Sequence, residues 1–145
     1  MELVVFGKNT LKPIPKVKFP IHYIGHLNDV SLINLYSAAD ATIIPSRQEA
    51  FCQTASESHA CGTPVVAFNI GGLKDIVEHH KTGYLAKAFD TEDLAKGISW
   101  VLDDKNKKLL GEQARVRAVE KFSQQVVIEQ YHTVYKKVLN NKNEI

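Results

Sequence analysis

Residues Ala41 to Phe68 read ATIIPSRQEAFCQTASESHACGTPVVAF, and this stretch decides the fold. Ala41-Thr42-Ile43-Ile44 is a continuous apolar strand ended by Pro45, which has no amide to give to a ladder. Ser46 to Ala50 is a polar loop, a helix runs on to Cys61, and Gly62 supplies its left-handed stop. Val65-Val66-Ala67-Phe68 is the next strand, again apolar on both faces. Strands that are apolar throughout and joined through a helix are parallel strands covered on both sides and linked by a right-handed crossover.

The same alternation continues in both directions. Leu3-Val4-Val5-Phe6, closed by Gly7, and Ile21 to Ile24, closed by Gly25, read as buried strands, with Pro13, Pro15 and Pro20 punctuating the segment between them. Asn28 or Asp29 caps a helix of about ten residues, in which Leu32, Ile33, Leu35 and Tyr36 recur at helical spacing. Downstream, Gly71-Gly72 marks a turn, Leu73 to His79 carries a short helix, and Tyr84-Leu85 is a last short strand. Beyond Asp90 the chain is helical. Thr91 opens a helix with Leu94, Ile98 and Val101 on one side, Asp104 to Phe122 forms another, and Ser123 caps the last. That last helix sets Val127, Tyr131, Val134, Tyr135 and Val138 on one face, a pattern that predicts packing. The expected class is α/β, a Rossmann-like parallel sheet with helices on both faces. It forms one lobe over residues 1–139, followed by a polar, frayed tail over 140–145.

Composition fits an ordinary globular domain. At 145 residues, folding buries roughly 68 to 70% of the surface of the unfolded chain, enough for a real core. The 44% apolar and 23% charged fractions exclude wholesale disorder and a disulfide scaffold. Eighteen basic against sixteen acidic residues leave a net charge of +2, too small and dispersed to make nucleic acid a partner. Cys52 and Cys61 complete no metal-ligand pattern and fit a reducing compartment. No apolar run reaches the roughly 20 residues of a membrane span, and no signal peptide is indicated.

In an open parallel sheet, ligands bind at the carboxyl ends of the strands, so the loops after Phe6, Ile24, Ile44 and Phe68 matter most. The third of them carries Glu49 and leads to Glu57, eight positions on. Continuous helix would separate the two by about 12 Å and about 80°, too far for a shared proton but suited to the two ends of an extended ligand. Between them lies a helix N-terminus whose unpaired amides, Phe51 to Thr54, attract a phosphate or a polarised sugar oxygen. The arrangement suggests a nucleotide sugar. Glu57 would accept hydrogen bonds from the ribose, Glu49 would reach hydroxyls of the sugar, and the helix end would face the diphosphate. Taken alone, such a pair is more often two solvated acids at a helix end.

The segment Glu49 to Glu57, then Ala60-Cys61-Gly62-Thr63-Pro64-Val65-Val66, Gly71-Gly72, Asp75-Ile76-Val77 and Thr82-Gly83-Tyr84-Leu85, resembles the glycosyl transferases group 1 family, also called glycosyltransferase family 4. Within it, the chain is similar to the C-terminal, nucleotide-sugar-binding lobe, from Leu3 to about Leu139. The resemblance implies the GT-B fold, two Rossmann-like lobes facing across a cleft, and transfer of a sugar with retention, without a metal or other cofactor. It makes Glu49 the acid at the donor sugar and Glu57 the acid at the ribose. The backbone of Phe51, Cys52 and Gln53 would serve sugar and diphosphate, and the loop of Tyr23, Gly25 and His26 would border the base. It further implies a UDP-, GDP- or ADP-linked donor, a hexosyl-type group and a polysaccharide or membrane-associated glycolipid acceptor. The site would be cytoplasmic, peripheral at the inner face of the membrane in a full-length protein. The rival readings are a non-catalytic module of the same fold and a lobe of a nucleotide-sugar epimerase.

The chain also departs from the family pattern. Glycine is frequent in the family where Ala50 and Cys52 stand, proline where Lys74 stands and glutamate where Asp75 stands. The family's basic pair at the diphosphate would lie upstream of Leu3, as would the N-terminal acceptor lobe. The expectation is a lobe lacking its first strand and helix, inactive alone, with no catalytic residue assigned in it.

Other features have plainer readings. His59, beside Ala60 and Cys61, is expected to pack, and His79 and His80 to form a solvated helix end rather than a metal site. Cys52 is either an apolar filler or a thiol activated by the helix end. Gly71-Gly72 is either a turn or an opening through which backbone approaches the nucleotide sugar. The basic face of Lys105, Lys107, Lys108, Arg115, Arg117 and Lys121 is solvated or touches anionic lipid.

Overall fold

The computed structural model describes residues 1–8 and 16–141, with Asn141 as backbone only. Pro13, Pro15 and residues 142–145 of the expected tail lie outside the described residues. The chain divides into two units, Met1–Leu35 and Tyr36–Ile145.

In the first unit, β1 (Leu3–Phe6) and β2 (Ile21–Gly25) pair in parallel, Leu3 opposite Ile21, with the register shifting between Val5 and Phe6. Helix α1 (Asp29–Ala38) begins here and runs across the division. Asn28 caps it as expected, its Oδ1 accepting from the Ser31 amide at 2.9 Å.

The second unit holds β3 (Thr42–Ile44), β4 (Val65–Phe68) and β5 (Gly83–Ala86), all parallel in the order β3-β4-β5. Its helices are α2 (Gln53–Ala60), α3 (Leu73–Ile76), α4 (Thr91–Val101), α5 (Asp104–Phe122) and α6 (Gln124–Asn141). Strand β4 is buried along its whole length, and its period of two sorts the core. Val65 and Ala67 join Ile44, Ala55, Leu73, Ile76 and Val77 on one side. Val66 and Phe68 join Ala86, Leu94, Val101 and Leu110 on the other. Helices therefore cover both faces of this sheet, and the α/β class holds. Among the described residues the ladders form two parallel sheets, of two and three strands, where one sheet was expected. Apolar alternation encodes that a strand is buried, not which strand it pairs with.

Two helix boundaries and one helix face differ from the expectation. Helix α2 starts at Gln53 because Cys52 takes the left-handed conformation, φ 75 and ψ 79, which cannot propagate a right-handed helix. Phe51 is thus outside it. Helix α3 stops at Ile76, where Val77 becomes extended and Arg117 of α5 donates to the carbonyls of Asp75 and Ile76 at 2.6 and 2.7 Å. His79 and His80 consequently lie in a turn, not on a helix end. Their rings stack at 3.7 Å, and His79 Nδ1 accepts from the Leu85 amide at 3.0 Å. Finally, Val134 and Val138 of α6 are more than half exposed, with Tyr131 and Tyr135. Spacing identified that face but carried no information about a cover, and the described residues supply none.

The basic face of α5 is partly structural. Lys107 pairs with Asp40 at 3.1 Å and Asp104 at 3.5 Å, Arg115 donates to the Ala60 carbonyl, and Arg117 holds the end of α3.

Candidate functional site

Glu49 sits half-buried in the loop between β3 and α2. Ser46, three residues before it, donates its hydroxyl to Glu49 Oε1 at 2.8 Å and so fixes the carboxylate. From the far side, the Gly72 amide donates to the Glu49 carbonyl at 3.2 Å. A Cβ on Gly71 would run into the Glu49 carbonyl, and one on Gly72 into the Ala50 carbonyl. The space that these glycines leave is filled by the loop carrying Glu49, so the backbone that approaches them is the protein's own.

Cys52 is the N-cap of α2 and contributes no side-chain cap. Its thiol is buried, and burial pushes its pKa up, against the opposing Ala55 amide and with help from the Glu49 carboxylate. It is therefore an apolar filler and not an activated nucleophile. The left-handed backbone explains why glycine suits this position: a Cβ there costs about 1 to 2 kcal/mol. Cys52→Gly is accordingly expected to be more stable than Cys52→Ala by about 1 kcal/mol, although it is smaller; denaturant unfolding of both variants checks the order. The amides of Gln53 and Thr54 open the helix with no intrahelical acceptor, whereas Ala55 takes the Cys52 carbonyl at 3.1 Å.

Glu57, one turn into α2, is exposed. Tyr36 of α1 is only 2% exposed, yet its hydroxyl donates to Glu57 Oε2 at 3.3 Å. Burial first, then the Glu57 charge, pushes the Tyr36 phenol well above its ordinary value, so it stays protonated as a hydrogen-bond donor. The Tyr36 carbonyl accepts from Thr63 Oγ1 at 2.5 Å, tying the end of α1 to the turn after α2. A cavity of about 730 Å³ opens beside Glu57, lined by Phe51, Gln53, Arg117, Lys121 and Tyr131 among others.

The structure thus brings Glu49, Phe51, Cys52, Gln53, Glu57, Gly71 and Gly72 into one unit. Tyr23 and Gly25 belong to β2 itself, not to a loop, and only His26 follows the strand. They lie in the first unit, where the Gly25 carbonyl accepts from the Gly7 amide at 2.7 Å. Sequence reasoning missed Ser46, Tyr36 and Arg117. Only Tyr36 left a signal, as a phenol at an apolar helical spacing, which needs a polar partner once buried.

His59 is fully buried, and among the described residues neither ring nitrogen has a hydrogen-bond partner. Burial lowers its pKa to about 4; the Thr82 backbone favours the cation without completing a hydrogen bond, and the Arg117 charge opposes it. It packs neutral, as expected. Among the described residues no group of three His, Cys, Asp or Glu could hold a metal ion, and no helix is long and apolar enough to cross a membrane.

The sequence profile of the family described as Glycosyl transferases group 1 matches residues 4–117. The chain belongs to this family. Among its group 1 relatives, D-inositol 3-phosphate glycosyltransferase of Corynebacterium jeikeium is 41% identical over 108 residues, 74% of this chain and 26% of that protein. Among solved structures of GT-B glycosyltransferases, sucrose-phosphate synthase of Thermosynechococcus elongatus superposes with a TM-score of 0.76 at 32% identity, covering 83% of this chain and 31% of that one. The Anabaena protein HepE, solved in complex with UDP and glucose, gives 0.72 at 25% identity, covering 82% and 32%. The chain spans about a sixth to a third of the length of the curated relatives it matches.

Proposed function

We propose that this chain is the C-terminal, nucleotide-sugar-binding lobe of a retaining, family 4 glycosyltransferase, one lobe over residues 1–139. The observation that carries it is the pair of acids flanking the start of α2, each carboxylate held by a hydroxyl, Glu49 by Ser46 and Glu57 by Tyr36. Glu57 accepts from the ribose, Glu49 from the transferred hexosyl-type group, and the Gln53 and Thr54 amides face the diphosphate. Such held acceptors and amides stabilise charge without reorganising as it develops. The capture of HepE with UDP and glucose supports a UDP-linked donor, with GDP- and ADP-linked donors as the rivals. The nucleotide sugar is substrate, and no metal is required. The acceptor, a polysaccharide or membrane-associated glycolipid, belongs to a second lobe, the whole enzyme works at the cytoplasmic face of the membrane, and a nucleotide-sugar-binding lobe by itself transfers nothing.

Calorimetric titration with UDP, GDP and ADP, free and as sugar conjugates, tests the reading. A ligand at 100 times its Kd stabilises the fold by about 2.7 kcal/mol. Glu57→Ala is expected to weaken free nucleotide and conjugate alike, by about ten-fold, the worth of a charged hydrogen bond. Glu49→Ala is expected to weaken the conjugate by a similar factor and to leave the free nucleotide nearly unchanged. Equal losses in both variants for both ligands would remove these roles.

A further inference from the structure

We infer that Tyr36 is a positioning residue for the donor's ribose, acting through Glu57; the inference rests on the reading of Glu57 given above. An exposed glutamate on a helix samples several rotamers, and freezing it on ligand binding costs side-chain entropy. Glu57 differs from the ordinary case because one of its oxygens meets a phenol that is buried and cannot move away. Tyr36 is 2% exposed, its ring is enclosed, and its own carbonyl is tied to Thr63, which is likewise 2% exposed. The anchor is therefore more rigid than the group it holds.

The geometry also divides the work of the carboxylate. Tyr36 occupies Oε2, while Glu57 lines the cavity beside α2, leaving Oε1 and the remaining lone pairs to accept from a ligand. A carboxylate whose orientation is set in this way suits the vicinal hydroxyl pair of a ribose, where two acceptor directions must be right at once. The phenol's own proton is secure at neutral pH, since both burial and the Glu57 charge hold it there. The 3.3 Å separation is at the long end for a hydroxyl donor.

Tyr36→Phe removes only the hydroxyl. The experiment measures binding of UDP, GDP and ADP, and of the 2′,3′-dideoxy form of whichever binds, to the 145-residue chain and to its Tyr36→Phe, Glu57→Ala and doubly substituted variants. Tyr36→Phe is expected to lose five- to ten-fold in affinity for the ribonucleotide, to leave the dideoxy form unchanged, and to have no further effect once Glu57 is alanine. Glu57→Asp, which draws the carboxylate one methylene back from the phenol, should lose the same selectivity and become insensitive to Tyr36→Phe. A loss equal for both sugars, a loss that persists without Glu57, or an unfolded Tyr36→Phe protein would make the hydroxyl merely structural and overturn the inference. If the parent chain binds ribonucleotide but Glu57→Ala binds it equally well, the role of Glu57 fails first and takes the inference with it. An intact Glu57 effect with no Tyr36 effect sinks the inference alone.

Discussion

Gly72→Ala is expected to lower the unfolding free energy by about 3 kcal/mol and to abolish binding of a nucleotide sugar. The new Cβ would lie 2.7 Å from Phe51 Cα and 2.8 Å from the Ala50 carbonyl carbon, with the Ala50 oxygen nearer still. All three are backbone atoms, so no rotamer change relieves the collision, and the loop from Glu49 to Phe51 has to move. Moving it breaks the Gly72 amide bond to the Glu49 carbonyl and turns the Glu49 carboxylate away from Ser46. Gly72 has an ordinary φ of −69°, so the effect is steric and not conformational. Lys74→Ala, an exposed change two positions on, is the matched control and should be nearly neutral. Urea unfolding together with titration of a sugar conjugate checks both halves; a stable variant with unaltered binding would mean that the loop yields without consequence.

His59 predicts an acid-labile core. Its pKa is about 4 in the folded chain and about 6.5 unfolded, so the unfolded state binds the extra proton first. The neutral ring's contribution is complete above pH 6.5 and is lost as the pH falls toward 4, about 3 kcal/mol in all. His59→Leu removes the titrating group and two buried, unpartnered nitrogens while keeping an apolar filler. The variant is therefore expected to gain stability at pH 4.5 relative to the parent by about 3 kcal/mol, and to be no less stable at pH 7.5. Other groups titrate in the same range, so the readout is the difference between parent and variant at the two pH values. Parallel pH profiles would show that His59 charges freely in the folded state.

The order of strands and helices was legible because continuous apolar runs such as Val65 to Phe68 have one interpretation when helices separate them. Partner choice between strands was not, since a run buried on both faces looks the same in a sheet of three or of five. In the candidate site, Glu49 was legible as a charge at a strand's carboxyl end and Glu57 as one inside the helix that follows. Their supports were not. Ser46 is one serine in a polar loop, and Arg117 is one cation on a helix with several; only the third dimension joins them to Glu49's loop and to α3. The start of α2 was misplaced because a cysteine gives no warning of a left-handed backbone that glycine would have announced. The apolar stripe on α6 was read correctly as a stripe and wrongly as packed, because periodicity describes one surface and contact requires two.

The guanidinium of Arg117 reaches Asp75 and Ile76, some forty residues earlier in the chain, and Arg115 reaches Ala60 over a still longer separation. On a ribosome adding about 5 to 20 residues each second, β3, α2 and β4 emerge and can associate while the segment that braces them has not yet been made. The turn bearing Gly71 and Gly72, and with it the seating of Glu49, therefore receives its last support only when α5 is complete. In the growing polypeptide, the edge bearing Glu49 is the part that matures late, after the strands beneath it.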